Sequence, residues 1–269
     1  MNAKTLKFAA MAVMVAASMA CVPATARAGR VCEDKPLDTA SVVRGMKLAD
    51  AVRQRLDATG ADVVVLARAG QDLSRWQLQW SHLGIAYRDQ RGDKPVWRVA
   101  HKLNHCGTAD GALYRQGLGE FFLDRPHRYQ AAFVVLAPQV QAALKPLLND
   151  NFRLTTMHAP AYNMVAYPWS TRYQQSNQWA LETLAAAMHP HVSSRRDAQR
   201  WLQAQGYSPT VLTIDAMTRL GARVGSAHIA FDDHPFNQRM ADRIETVTVD
   251  SVFAWLQSTG LGDGAVIVR

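Results

Sequence analysis

Trp80-Ser81-His82-Leu83-Gly84-Ile85-Ala86-Tyr87 alternates with a period of two, the pattern of a strand. Leu83, Ile85 and Tyr87 point one way; His82, Gly84 and Ala86 point the other. Two small residues follow the histidine on its own face. They predict open space beside the imidazole, where something else can pack or bind. The same pattern also fits a histidine simply satisfied at a strand end.

Working outward, the strand ends at Arg88-Asp89, and Gln90 to Pro95, containing Arg91-Gly92-Asp93, reads as a turn. Residues 96–103 form the next strand, with Trp97, Val99 and His101 on one face, so the two strands make an antiparallel hairpin. Upstream, residues 37–58 predict a helix capped by Asp38, with Val42, Met46, Ala49, Val52 and Leu56 as its apolar stripe. Residues 62–67 are nearly all apolar, as in a central strand. Downstream, Asn104 to Thr108 is a loop, and residues 112–122 read as a helix burying Leu113, Leu118, Phe121 and Phe122, with Gly117 and Gly119 against it. A strand over 129–137 and a helix from Pro138 to about 148 follow. Residues 149–170, with Tyr162, read as an ordered loop bordering a site. A helix then opens at Ser176-Asn177 and buries Trp179, Leu181, Leu184, Ala185 and Met188. Helices over 195–205 and 215–223, a strand over 244–249 and a last helix capped by Asp250 complete the chain.

The first 28 residues read as a signal peptide. Lys4 and Lys7 precede an apolar run from Phe8 to Ala20, and Ala26-Arg27-Ala28 is a small-x-small cleavage site. No later segment is long and apolar enough to span a bilayer. Residues 29–269 are then a single α+β domain, placed in the periplasm or secreted. With 48% hydrophobic and 19% charged residues the chain is globular. Its net charge of +8 falls to +5 when Lys4, Lys7 and Arg27 leave with the leader, and no basic stripe suggests nucleic acid. Cys32 and Cys106, an even pair in an exported chain, predict a disulfide. It closes a loop of about 75 residues, worth about 4 kcal/mol in the chain-entropy picture.

Chemistry centres on His82 and Ser176. A serine at a helix start lies near free backbone N–H groups that can hold an oxyanion, and a histidine from a neighbouring strand can act as its base. His101 is the candidate to orient that histidine, with Asn104 as a lesser one. Gln175 and Asn177 are candidate binding residues beside Ser176, and Gln175 can assist an oxyanion. Serine is equally a favoured helix cap. Nine histidines include no His-Glu-x-x-His helix, so no metal is expected. The chain also lacks a glycine-rich phosphate loop and a dinucleotide fingerprint, so no cofactor is expected.

Ala61-Asp62-Val63-Val64 followed by Ser81-His82-Leu83-Gly84-Ile85, and then a helix opening at Gln175-Ser176-Asn177, resembles the circularly permuted papain-like fold of the NlpC type. That superfamily includes cell-wall peptidases, amidases and lecithin:retinol acyltransferase-like proteins. Over residues 30–269 the chain also looks like an exported proteobacterial family of unknown function. The resemblance implies an antiparallel sheet with packed helices, extra C-terminal helices, and a hydrolase or acyltransferase acting on an amide or ester. Ser176 is then nucleophile, His82 base and His101 its orienting group. The family's cysteine is replaced by Ser176, whose hydroxyl depends wholly on its base. The alternative is a non-catalytic member of the fold that binds a cell-wall peptide, glycan or lipid. A structural or interaction protein with no working site is the third class.

Overall fold

A computed structural model describes residues 36–90 and 93–269. The expected leader, its cleavage sites, Cys32, and Arg91-Gly92 of the expected turn lie outside the described residues. The chain is α+β. Six strands form one antiparallel sheet and two more form a small ribbon. In chain order the sheet strands are β1 (Val63–Arg68), β2 (His82–Asp89), β3 (Val96–Asn104), β4 (Gly111–Gly117), β5 (Ala131–Val135) and β8 (Val266–Val268). Their spatial order is β4-β3-β2-β1-β5-β8. The ribbon pairs β6 (Thr210–Thr213) with β7 (Arg243–Thr246). Nine helices are described: α1 (Thr39–Thr59), α2 (Leu118–Phe122), α3 (Pro138–Asn149), α4 (Asn151–Thr155), α5 (Ser176–Met188), α6 (Arg195–Ala204), α7 (Ala216–Gly225), α8 (Phe236–Met240) and α9 (Val249–Ser258).

The sheet is covered on both faces, so β1 is buried along its whole length. One face carries Val63, Val65, Leu83, Ile85, Tyr87 and Ala100, packed against Leu144 of α3, Trp179 and Leu184 of α5, and Leu256 of α9. The other carries Val64, Leu66, Ala86 and Val99, packed against Leu48, Val52 and Leu56 of α1 and against Phe121 and Phe122 of α2. Each fully buried Leu or Val contributes about 1.5–3 kcal/mol before its ordering cost.

α1 forms where expected, and the Asp38 carboxylate accepts from Ser41 N to cap it. Its stripe is rotated, however. Gly45, Leu48, Ala49, Val52 and Leu56 are buried, while Val42 and Met46 are 36% and 49% exposed. Gly45 sets this rotation. A Cβ there would lie 3.0 Å from the Phe122 carbonyl oxygen, so only glycine lets the helix press onto α2.

Residues 112–122 are not one helix. Gly111–Gly117 pairs antiparallel with β3, and the helix shrinks to Leu118–Phe122. Gly111 and Gly117 disfavour a helix, and the open edge of β3 offers a ladder of hydrogen bonds instead. Near the C-terminus, the last helix begins at Val249 and is capped by Thr248 in a capping box with Ser251 rather than by Asp250.

The space expected beside His82 is filled. A Cβ on Gly84 would lie 2.5 Å from Val99 Cγ1 and 3.3 Å from His101 Cβ. Glycine therefore lets β2 and β3 pack their side chains together. Gly84→Ala is expected to lower stability by about 1–3 kcal/mol by overpacking. Urea unfolding reads this directly, and an unchanged midpoint would refute the packing argument.

Candidate functional site

Paired residues of an antiparallel sheet project to the same face. Arg68 pairs with His82, Ala86 with Val99, and Val99 with Gln116, so Arg68, His82, His101 and Gln116 share the face covered by α1 and α2. His82 Nε2 lies 2.8 Å from His101 Nδ1, and His101 Nε2 lies 2.8 Å from Gln116 Oε1. A carbonyl oxygen can only accept. His101 Nε2 therefore donates to Gln116, His101 Nδ1 accepts from His82 Nε2, and His82 Nδ1 keeps its lone pair. The Phe121 ring lies 5.8 Å from His82 and 5.2 Å from His101, closing this cluster beneath α2.

Both histidines are held neutral. Burial, the nearby Arg68 guanidinium and His101 push the His82 pKa well below its ordinary value. Burial and Arg68 push His101 down to about 3, opposed by the hydrogen bond it donates to Gln116. Arg68 itself is anchored by the Phe121 carbonyl and by Asp124, 2.5 Å away.

Ser176 opens α5, on the far side of the sheet. Its Oγ lies 3.4 Å from the Tyr162 hydroxyl, and no hydrogen bond joins it to His82. Ser176 is not the helix cap either. Gln175 takes that place, its Oε1 accepting from Asn177 N at 3.1 Å. The Gln175 amide nitrogen donates to Thr246 Oγ1 and Val247 O, so it is committed to structure rather than to an oxyanion. Asn177 ties the helix to the sheet: Oδ1 accepts from Leu83 N at 2.9 Å, and Nδ2 donates to Val247 O at 3.2 Å. Asn104, at the end of β3, donates only to the neighbouring His105 carbonyl and joins neither cluster. Cys106 lies in the exposed turn after β3.

On the sheet face that α5 covers, β3 buries Lys102. It is fully buried, its ammonium bonded to the Ala159 carbonyl and to Gln174 Oε1 at 3.0 Å, and 5.7 Å from the Tyr162 ring centroid. Burial, then repulsion from Arg195, brings its pKa down to about 7. Gln174 Nε2 in turn donates to Glu182 Oε2, which also accepts from Arg195. Burial raises the Tyr162 pKa, so that hydroxyl stays protonated. Ser176 is thus packed against the Tyr162 phenol at the start of its own helix, with 4% of its surface exposed.

Two contributors escaped the sequence reading. Gln116 was hidden inside the misassigned helix. Lys102 was visible only as a lysine alternating with His101, on a strand face that also carries Arg98 and Asn104, so nothing in the pattern marked it as buried. Among the described residues no group of three or more His, Cys, Asp or Glu side chains is placed to hold a metal ion. No described helix is long and apolar enough to cross a membrane.

The family described as "Uncharacterized protein conserved in bacteria (DUF2145)" matches residues 55–256. No curated protein matches the chain. No solved structure matches it.

Proposed function

Because the chain belongs to the uncharacterised bacterial family DUF2145, whose description carries no activity, we propose from the site itself that it is a non-catalytic binding protein. In this reading it has a permuted papain-like fold, is exported to the cell envelope, and holds a peptide, glycan or lipid found there. One observation carries the proposal. The Ser176 hydroxyl is bonded to Tyr162, while the His82–His101–Gln116 chain lies under α1 and α2 on the other face of the sheet. A serine without its base is a poor nucleophile.

The resemblance to cell-wall peptidases makes peptidoglycan the first ligand to test. The full chain is incubated with purified sacculi, sedimented, and the muropeptides analysed. Co-sedimentation with an unchanged muropeptide profile is expected. New muropeptide ends would overturn the reading, and protein left entirely in solution would remove peptidoglycan as the ligand.

A second reading, hydrolysis or acyl transfer at an amide or ester through Ser176 and His82, draws on the histidine chain. His101 and Gln116 fix the tautomer that leaves His82 Nδ1 as a base, the arrangement that general-base catalysis needs. That reading requires Ser176 Oγ to reach Nδ1.

Export carries its own expectation. In a periplasmic or secreted protein Cys32 and Cys106 are joined. A thiol count on the denatured, unreduced protein lacking its leader then gives none, and two thiols would refute the pairing.

A further inference from the structure

Residues 226–235 join α7 to α8 and clasp the loop that precedes α5. Asn163 grips them twice: Nδ2 donates to Ala230 O at 2.8 Å, and Oδ1 accepts from Ala230 N at 3.1 Å. Met164 N donates to His228 O at 2.9 Å, and Tyr167 N to Asp233 Oδ2 at 2.8 Å. His234 Nε2 donates to Val165 O at 2.8 Å. Phe231 holds the middle, packed with Leu212, Ile214 and Ile244. The His228 ring meets the Tyr162 ring at 6.5 Å, and the Tyr162 hydroxyl lies 3.4 Å from Ser176 Oγ. We propose that this segment is a pH-operated strap, closed over Tyr162 at neutral pH and released when His228 and His234 take up protons.

Three titratable atoms of the strap are buried with no hydrogen-bond partner among the described residues: His228 Nδ1, Asp233 Oδ1 and His234 Nδ1. The Val165 carbonyl can only accept, so His234 carries its proton on Nε2. A second proton must go to Nδ1, inside the protein, where no acceptor waits. A buried charge without a partner is costly, and the strap is relieved of it by opening.

The surroundings do not cancel this. Burial is the largest influence on both histidines and pushes both pKa values down. For His234 the Val165 bond, Asp233 and Glu245 oppose burial, while Arg239 reinforces it. The rings facing the two histidines are phenols, Tyr162 on His228 and Tyr167 on His234, and burial raises the pKa of both. Asp232 is held by Arg172 at 2.8 Å. A released strap returns its histidines to their ordinary value near 6.5, so the open form binds more protons and gains as the pH falls below it. Asp233 works the other way, because burial raises its pKa and acid then favours the closed form. One carboxyl thus opposes two histidines. Release bares Tyr162 beside the start of α5, and the switch stands whether or not that end of the helix holds a ligand.

Hydrogen exchange of the full chain, read by mass spectrometry at pH 7.5 and 5.5 and corrected for the intrinsic pH dependence of amide exchange, tests this. Protection of residues 163–167 and 226–235 is expected to fall by about tenfold per pH unit below 6.5 for each histidine that charges. At pH 5.5 these peptides are expected to exchange ahead of β1. His228→Gln/His234→Gln, whose amide at 234 can still donate to Val165 O, is expected to lose most of the pH dependence, with circular dichroism checking its fold. Three results would overturn the proposal: corrected protection that does not change with pH in the parent; a pH dependence that survives in the folded double variant; or strap peptides that exchange no faster than β1 at pH 5.5, the mark of general unfolding.

Discussion

Arg195→Ala is expected to cost about 3–5 kcal/mol of stability, the penalty for leaving one buried charge without its partner. Arg195 and Glu182 are 8% and 1% exposed and meet at 2.7 Å through Nε and Oε2, with a second contact at 3.2 Å. The same guanidinium donates to the Thr171 and Tyr173 carbonyls, each at 2.8 Å, and so pins the loop that delivers Ser176. Gln174 and Gln199 complete the shell around Glu182. Removing Arg195 leaves a carboxylate inside the protein and two loop carbonyls, those of Thr171 and Tyr173, without their donor. Replacing both Arg195 and Glu182 by methionine is expected to cost less than the single change, because no lone charge remains. Urea unfolding of the two variants reads the difference. A single variant within about 1 kcal/mol of the parent would show that the pair is not a structural keystone.

Acid is the second large effect. A histidine whose folded pKa lies below its unfolded value near 6.5 makes the unfolded state bind more protons whenever the pH lies between the two. Stability is then complete above about pH 6.5 and is lost as the pH falls toward the folded value. For His101, held at about 3 by burial and Arg68, the loss approaches about 1.4 kcal/mol per pH unit, or about 3 kcal/mol by pH 4.5. His82, also pushed down by burial, adds to it in the same direction. Asp233 and Asp250 act oppositely, because burial raises their pKa values. The informative quantity is therefore the difference between the protein and His101→Gln. Urea midpoints measured from pH 8 to pH 4.5 should fall more steeply for the parent. Parallel profiles would contradict the buried, neutral pair.

The hairpin was legible because Leu83, Ile85 and Tyr87 alternate cleanly with His82, Gly84 and Ala86, and Trp97, Val99 and His101 do the same on β3. Residues 111–117 were not, because Gly111 and Gly117 blur any period and the strand exists only by pairing with β3. With it went Gln116, the acceptor that fixes the histidine tautomers. The relation of His82 to Ser176 was illegible for a deeper reason. Both faces of the central strands are buried, so alternation separates two groups of side chains without saying which helix covers which. Trp179 and its neighbours settle α5 on the Leu83 and Ile85 face, and the histidines go to α1 and α2. The pairing of His82 with His101 and of Ser176 with Tyr162 therefore emerges from packing, although each of the four residues stood out in the sequence.

Serine reactivity tests the central claim most directly. The full chain is treated with a fluorophosphonate at pH 7.5, a pH at which His82 is neutral, and Ser176 is followed by peptide mass spectrometry beside His82→Ala. The account predicts no labelling of Ser176 above that of other serines, and no change in the histidine variant. Stoichiometric labelling of Ser176 that disappears in His82→Ala would contradict it and establish the hydrolase reading in its place.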